Sequence, residues 1–387
     1  MLGNAYLGLN KLDQAIEEFK IVRVLKPDSE RAALFLGIAY REKGNFSESV
    51  KELEKVIKIK PKESAGYYQM GETLFKMKKY GRAIDSYTKA KELNSKSAFI
   101  KKRIVEVYLV QKKYLEAISI CAEMTESQEA DIDIYSLLAV SYQLNNQVEL
   151  AERTLKLMIT KFSADPYSFY KLGLFYGQIK KYDQAIVQYN IALSISPKNV
   201  VILRVLAFTY DQAGNKEKAI EITENIIDIH EDNTIDKFYL ATLYDATLKY
   251  EKSKELYKEI IDKQPDNTFA LNNLANILSE EGNYNEAIIL SKKAVSLAPK
   301  SGVISDTLGW IYYKQNKIKE SIEILKKSVS MVDHPSVFFH LGMAYYKNNQ
   351  SKKALEQFNK SIQLSDKFPE YNEAKEMQEK ISSQSNK

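Results

Sequence analysis

The stretch from residue 172 to residue 197, LGLFYGQIKKYDQAIVQYNIALSISP, contains the pattern on which the fold prediction depends. A Leu-Gly pair opens the stretch, Tyr176 and Ala185 follow, and Pro197 closes it. Small residues at fixed places allow two helices to approach closely, and a proline marks where one helix ends or another begins. The stretch therefore predicts two packed helices joined by a short turn at Lys180 and Lys181.

The same pattern recurs along the chain, which is most easily followed at the opening leucine. Every step is 34 residues until the last, which is 33 and so indicates a single deletion near Pro335. The column consists of Leu2, Leu36, Met70, Ile104, Leu138, Leu172, Leu206, Leu240, Leu274, Leu308 and Leu341. The chain therefore contains eleven copies of one repeat.

Each copy also has two columns of small residues, one after the leucine and one in the second helix. The first column is Gly3, Gly37, Gly71, Val105, Ala139, Gly173, Ala207, Ala241, Ala275, Gly309 and Gly342. The second is Ala15, Ser49, Ala83, Ala117, Ala151, Ala185, Ala219, Ser253, Ala287, Ser321 and Ala354. Gly and Asn mark several of the turns, because they accept the left-handed backbone that ends a helix. All eight prolines lie at junctions between copies.

With these columns in place, the chain resembles the tetratricopeptide-repeat (TPR) family over essentially its whole length. The resemblance implies an all-α fold: a right-handed superhelix, or α-solenoid, of about eleven helix-turn-helix repeats plus a C-terminal capping helix. In such a superhelix, the first helix of each pair lines the concave face. Residues 271–313 also resemble the arrays of bacterial multi-TPR scaffold proteins of envelope, exopolysaccharide and protein-sorting systems.

The predicted domain boundaries follow the repeat. Residues 1–366 form the TPR array, and within it residues 1–27 are a partial first repeat that lacks the opening of its first helix. Residues 367–383 are predicted to form the capping helix, because apolar residues from Tyr371 to Ile381 fall on one face. Residues 384–387 have nothing to bury and are predicted to be a disordered tail.

Composition excludes several classes of function. The net charge of +5 comes from 56 basic and 51 acidic residues mixed along the chain, so no nucleic-acid partner is predicted. Cys121 is the single cysteine, and it occupies a packing column, so we interpret it as a small buried hydrophobe. No stretch is apolar enough to span a membrane, and residues 1–10 lack the pattern of a signal peptide.

The sequence contains no pattern typical of catalysis or of a cofactor. There is no glycine-rich phosphate loop and no nucleophile motif, and the carboxylate pairs lie on predicted helix surfaces. His230, His334 and His340 lack the spacing of a zinc site, and the last two are interpreted as loop surface and helix surface. We therefore predict no enzyme activity, no cofactor and no metal.

The candidate partner-binding residues are aromatic side chains at the second, fifth, ninth and twelfth places of the first helices. They are Tyr68, Phe75, Tyr167, Tyr170, Phe208, Phe238, Trp310, Tyr313, Phe339 and Tyr346. Aromatic residues are enriched in binding hot spots, and a row of them suits a bound peptide or helix. Packing against neighbouring helices explains any single one of them equally well. The group of Trp310, Tyr313 and Phe339 ranks first.

Three functions remain open on this evidence. The leading one is a non-catalytic adaptor that binds peptide or helical segments of other proteins in an aromatic-lined groove. The alternative is a regulatory or substrate-recruiting arm of an enzyme whose catalytic domain lies upstream, and the third is self-association through the incomplete first repeat. Localisation is undetermined: cytoplasmic for a complete chain, and cell envelope or periplasm for one that has lost a signal.

Overall fold

The computed structural model describes residues 2–94, 97–127 and 130–385, which contain 23 α-helices. The chain divides into two compact units after Pro197. The helices of the first unit are α1 (Leu2–Gly8), α2 (Leu12–Leu25), α3 (Glu30–Glu42), α4 (Phe46–Ile59), α5 (Ser64–Lys76), α6 (Tyr80–Leu93), α7 (Ala98–Val110), α8 (Tyr114–Thr125), α9 (Ile132–Leu144), α10 (Val148–Lys161), α11 (Pro166–Gln178) and α12 (Tyr182–Ile195). Those of the second unit are α13 (Val200–Gln212), α14 (Lys216–Ile229), α15 (Thr234–Ala246), α16 (Tyr250–Lys263), α17 (Thr268–Glu280), α18 (Tyr284–Leu297), α19 (Gly302–Lys314), α20 (Ile318–Val329), α21 (Pro335–Lys347), α22 (Ser351–Leu364) and α23 (Tyr371–Ser385).

Each odd-numbered helix up to α21 packs against the helix that follows it, so the described chain contains eleven helix pairs and a final single helix. We call the two members of a pair its first and second helix. Within each unit, successive pairs stack on one another, and first helices also contact each other, as α3 does α5 and α17 does α19. The predicted all-α solenoid of helix-turn-helix repeats is confirmed.

Most first helices begin at a side chain that caps them. The capping oxygen accepts a hydrogen bond from a backbone N–H of the first turn, which would otherwise lack a partner. The capping residues are Ser29, Ser97, Asp131, Asp165, Asn199, Asn233, Asn267 and Ser301. Their recurrence sets where each pair starts.

The turn inside every pair contains one residue with a left-handed backbone. These residues are Asn10, Gly44, Lys78, Lys112, Asn146, Lys180, Gly214, Leu248, Gly282, Asn316 and Asn349. The predicted Gly and Asn turns are thus confirmed, and four pairs use Lys or Leu in the same conformation. Only glycine adopts this backbone without a steric cost, so Leu248, at φ 59°, lies in a strained position.

This column predicts opposite effects for two substitutions. Leu248→Gly should stabilise the protein by about 1 kcal/mol, because the side chain is exposed and the strain is removed. Gly214→Ala should destabilise by about 1 kcal/mol, because a residue with a Cβ is strained at its φ of +85°. No atom lies within 4 Å of the new Cβ, so a clash with a neighbour does not contribute. The midpoint of urea unfolding measures both. A Gly214→Ala midpoint equal to that of the unmodified chain would argue against strain as the cause.

The small column of the first helix lies against a large side chain of the second. A Cβ placed on Gly173 would lie 2.5 Å from Cε1 of Tyr189, and one on Gly71 would lie 2.5 Å from Cε1 of Tyr87. Real Cβ contacts are not that short, so glycine allows the ring to contact the helix backbone. The second small column is equally tight: where it contains serine, as at Ser49, the hydroxyl donates to a carbonyl of the first helix at 2.7 Å.

Val105 is the bulky exception in this column, and its partner is correspondingly small. The residue that corresponds to Tyr189 in this pair is Cys121, and both Val105 and Cys121 are completely buried in one cluster. A larger residue on one helix is thus matched by a smaller one on the other. Burial raises the pKa of the Cys121 thiol to about 12, in agreement with its interpretation as a packing residue.

Two alanine substitutions on α11 test this contact. Gly173→Ala should destabilise by about 1–3 kcal/mol, because its methyl group overlaps the Tyr189 ring. Gly177→Ala is the control: its Cβ would lie 3.8 Å from the Tyr189 hydroxyl, so the helix propensity of alanine should stabilise by about 0.5–1 kcal/mol. Circular dichroism during urea unfolding measures the difference, and equal effects of the two changes would contradict the proposed contact.

The two ends of the described chain differ from the repeats between them. Helix α1 has seven residues, where most other first helices have thirteen, and Val22 of α2 is exposed although the equivalent Val56 is buried. At the other end, α23 begins at Tyr371 and runs to Ser385, two residues beyond the predicted limit of the capping helix. Of the predicted disordered tail, residues 386 and 387 lie outside the described residues.

Candidate functional site

The ten predicted partner-binding residues all lie on first helices, but they differ in how much of each side chain is open to solvent. Tyr167 and Phe208 are exposed, Phe339 is buried, and the other seven are partly buried. Their helices are α5, α11, α13, α15, α19 and α21. The exposed fraction and the ring contacts therefore decide which of them a partner could reach.

Trp310 is covered on both faces by the chain itself. The Tyr313 ring lies parallel to it with centroids 4.5 Å apart, and the His340 ring lies nearly parallel at 4.1 Å. Two parallel rings this close to one indole cannot share a face without overlapping, so they lie on opposite faces. We call Tyr313, Trp310 and His340 the Trp310 stack. Only the edges of the indole remain for a partner.

His340 is not on the helix surface as predicted, and this expectation was wrong. Its side chain is 12% exposed, and Nδ1 lies 2.9 Å from Oδ2 and 3.0 Å from Oδ1 of Asp306, so an N–H at Nδ1 donates to this carboxylate. Asp306 belongs to the preceding first helix, α19. The pairing and the stacking on Trp310 together bury the imidazole, and the sequence spacing gave no sign of either.

Phe339 was predicted to contact a partner, but its side chain is buried in the chain itself. It is 1% exposed, because its ring packs between those of Trp310 and Phe358. Its ring centroid lies 6.3 Å from that of Trp310 and 5.9 Å from that of Phe358, which is on α22. Tyr346 is covered in part by α23, whose Lys380 ammonium lies 5.3 Å from the ring centroid. The group ranked first by sequence is therefore mostly a packing cluster between α19, α21 and α23.

In the first unit, the predicted aromatic residues pack around a partly buried ion pair. The Tyr68 ring packs against the Phe99 ring of the next first helix, with centroids 5.2 Å apart. Burial is the largest cause that raises the pKa of the Tyr68 hydroxyl. The Arg103 guanidinium lies 5.4 Å from the Phe75 ring centroid, a cation–π distance. These contacts place Arg103 beside the preceding first helix.

Glu72 is the centre of that ion pair. Arg103 donates to it twice, from Nε at 2.7 Å and from Nη2 at 2.8 Å, and the Tyr87 hydroxyl donates as well. Burial opposes ionisation of the carboxyl, yet the hydrogen bonds from Arg103 and Tyr87 outweigh it and hold the pKa of Glu72 below its usual range. The pair joins α5 to α7, which is a structural use of this face.

A row of exposed apolar residues, by contrast, lies at the second place of four first helices in the second unit. We call it the apolar row: Val201, Ile235, Phe269 and Val303. Ile235 is 78% exposed and Phe269 is 66% exposed. The Phe269 ring meets Phe238 of the preceding first helix edge-on, with centroids 6.4 Å apart.

This row was not predicted from the sequence, although the second place of each first helix was among the places searched for aromatic residues. Phe99 and Phe269 are aromatic residues at that place, and the row recurs every 34 residues five positions before the leucine column. A search for exposed apolar residues of any kind, and not only aromatic ones, finds it. Among the described residues, no group of three His, Cys, Asp or Glu side chains is placed to hold a metal ion.

Comparison with family models identifies the repeat. Residues 1–64, 64–97, 166–199, 237–267, 256–289, 306–331 and 335–368 match models that share the description Tetratricopeptide repeat. The chain is a tetratricopeptide-repeat protein. TPR arrays are typical protein–protein interaction modules, which present extended surfaces along their stacked repeats. Within the described residues, none of the TPR helices is long and apolar enough to cross a membrane.

Two relatives match part of the chain at low identity. The chain is 23% identical over 193 residues to the BBSome complex member BBS4 homolog of Drosophila melanogaster, which is 50% of this chain and 35% of that protein. It is 22% identical over 246 residues to the human protein O-mannosyl-transferase TMTC3, which is 58% of this chain and 27% of that protein. The chain thus spans less than half the length of either relative.

A solved structure has the same fold. A tetratricopeptide repeat protein from Parabacteroides merdae superposes with a TM-score of 0.54 at 18% identity, covering 65% of this chain and 98% of that one. This likeness shows the TPR fold and does not extend to function.

The Glu72 ion pair predicts a pH-dependent contribution to stability. Because the folded pKa lies below the ordinary value of 4.5, the contribution is complete above pH 4.5 and is lost as the pH falls through the folded pKa. Glu72→Gln should therefore destabilise by about 1–3 kcal/mol at neutral pH and much less in acid. Urea unfolding at the two pH values measures the change.

Glu106→Gln is the control for this experiment, since Glu106 also pairs with Arg103 but its side chain is 40% exposed. It should cost at most about 1 kcal/mol at neutral pH. If Glu72→Gln destabilises equally at both pH values, the ionised carboxylate is not the source of the stabilisation.

Proposed function

We propose that this TPR protein is a non-catalytic scaffold, and that the first-helix face of its second unit binds a peptide or helical segment of a partner protein. The apolar row is the observation that carries this proposal. Exposed apolar residues recur here at one place of consecutive first helices, and groups of exposed apolar residues are typical of interaction surfaces. Phe208, which is also exposed, lies on α13 beside it.

The apolar row suits this role better than the Trp310 stack does. The faces of Trp310 are occupied by Tyr313 and His340, so burying the indole further would gain little contact area. Phe269, in contrast, presents most of its ring to solvent while Phe238 supports one edge, which limits the entropy that binding would cost. Large rigid side chains of this kind are typical hot spots.

Photo-crosslinking at the row identifies the partner. A benzophenone amino acid replaces Phe269 in one variant and Ile289 in another, and the crosslinked proteins are recovered from the source cells and identified by mass spectrometry. Ile289 is the matched control, because it is 68% exposed but belongs to the second helix α18. We expect one protein to crosslink from position 269 and not from position 289.

The affinity of the purified partner then tests the contact itself. Phe269→Ala and Ile235→Ala should each raise Kd by about tenfold or more, corresponding to about 1.4–2 kcal/mol of lost binding free energy, and Ile289→Ala should leave it unchanged. Isothermal titration calorimetry measures the constants. Equal affinities for all three variants would exclude the row as the binding surface.

The enzyme-arm alternative has one observation in its favour. TMTC3 is described as a protein O-mannosyl-transferase, and the match covers 27% of it, so in that relative a segment similar to this chain belongs to a protein named as an enzyme. The genomic sequence upstream of the Met1 codon tests this alternative: a reading frame that continues into a catalytic domain would support it. A frame that continues into a signal sequence would support instead the bacterial envelope, exopolysaccharide or protein-sorting scaffold.

A further inference from the structure

In four repeats, an aromatic ring of the first helix packs against an aromatic ring of the second helix, always at the same two places. These ring pairs are Tyr68–Tyr87, Tyr170–Tyr189, Phe238–Tyr257 and Phe339–Phe358, with centroids 5.8, 6.2, 5.7 and 5.9 Å apart. In the helix pair α17–α18, the same two places hold Asn272 and Ser291. Two polar side chains therefore stand here where those four repeats have a contact between rings.

The residue of α17 that faces this place does not compensate for the missing ring. In the pair α7–α8, the small Cys121 is matched by the larger Val105, but α17 has only Ala275 in the column of Val105. Ala275 and Ser291 are both completely buried. Because both are small, the pair α17–α18 gains less dispersion energy at this contact than the pairs that contain a ring.

Unpartnered polar atoms are concentrated in the same pair. Asn272 Oδ1, Ser279 Oγ and Ser291 Oγ are buried and have no hydrogen-bond partner among the described residues. No other helix pair of the described chain, its turn included, contains more than one such atom. A buried polar atom without a partner is destabilising, because folding removes its bonds to water and supplies none in return.

A hydrogen bond between the two helices is also missing from this pair. On α16, the Ser253 hydroxyl donates to the carbonyl oxygen of Ala241 at 2.9 Å, and on α20 the Ser321 hydroxyl donates to that of Gly309 at 2.8 Å. The same place on α18 is Ala287, which has no side-chain donor. The pair α17–α18 thus lacks a bond that the pairs on both sides of it have.

We infer that the pair α17–α18 is a conformational device: it opens locally while α15–α16 and α19–α20 remain folded. The stability of a repeat array is approximately the sum of the stability of each repeat and its contacts with its neighbours, so weak contacts inside one repeat lower the cost of opening it. Phe269 lies on α17 and Phe238, which supports its ring, lies on α15. Opening therefore separates Phe269 from its support, and the apolar row is complete only in the closed form.

The opening itself stands on the packing and the hydrogen bonds of α17 and α18. Only its effect on the apolar row rests on the proposed function. It is therefore tested on the purified full chain without any partner.

Hydrogen–deuterium exchange of the native chain, followed by mass spectrometry, measures the opening. Under conditions in which the exchange rate follows the opening equilibrium, we expect the amides of α17 and α18 to be about tenfold or more less protected than those at matched places of α15–α16 and α19–α20. Equal protection of the three pairs would overturn the inference.

Two serine substitutions separate this cause from a general loosening of the array. Ser291→Ala removes a buried hydroxyl without a partner, so exchange in α17–α18 should become about tenfold slower. Ser321→Ala is the matched control: Ser321 is equally buried, but its hydroxyl bonds to Gly309, so exchange in α19–α20 should become about fivefold faster. Unchanged or faster exchange of α17–α18 in Ser291→Ala would contradict the inference.

Restoring the ring pair gives a further readout. The double variant Asn272→Phe, Ser291→Tyr reproduces the ring pair of α15–α16, and it should raise the protection of α17–α18 to that of its neighbours. The outcome for the proposed function is separate. Uniform exchange together with a crosslink from position 269 would leave the proposed function standing and remove the inference, and local opening without such a crosslink would do the reverse.

Discussion

The structure depends on the close approach of the two helices within each pair. At Gly173 the Tyr189 ring lies where a Cβ would be, and Gly71 with Tyr87 repeats the same contact. This contact ties the identity of one residue to that of another sixteen positions later, which is why the bulky Val105 is matched by the small Cys121. A helix pair that met this constraint could be repeated, since each copy then presents the same shape to the next.

Because the small column of each first helix is used inside the pair, the positions on its other side are free to vary. Some of them hold the array together: Glu72 with Arg103 joins α5 to α7, and Arg204 with Asp236 joins α13 to α15 through two bonds of 2.8 and 2.7 Å. Asp306 and His340 do the same between α19 and α21. Charges and rings on this face are therefore structural wherever the next repeat supplies a partner.

Where the next repeat supplies none, the face remains available for binding. Phe269 and Ile235 are the clearest cases. The proposed binding surface follows from this comparison of one repeat with its neighbour.

The sequence alone determined the eleven repeats, the helix pairs and the turns, because each of these depends on residues within a single copy of about 34 residues. It also predicted on which helices a binding surface would lie. It could not decide which side chains are open there, since Trp310 and Phe339 are covered by residues of other repeats, and the aromatic pattern of one repeat does not report its neighbours. Only the tertiary structure, by stacking one pair on the next, separated the closed Trp310 stack from the open apolar row.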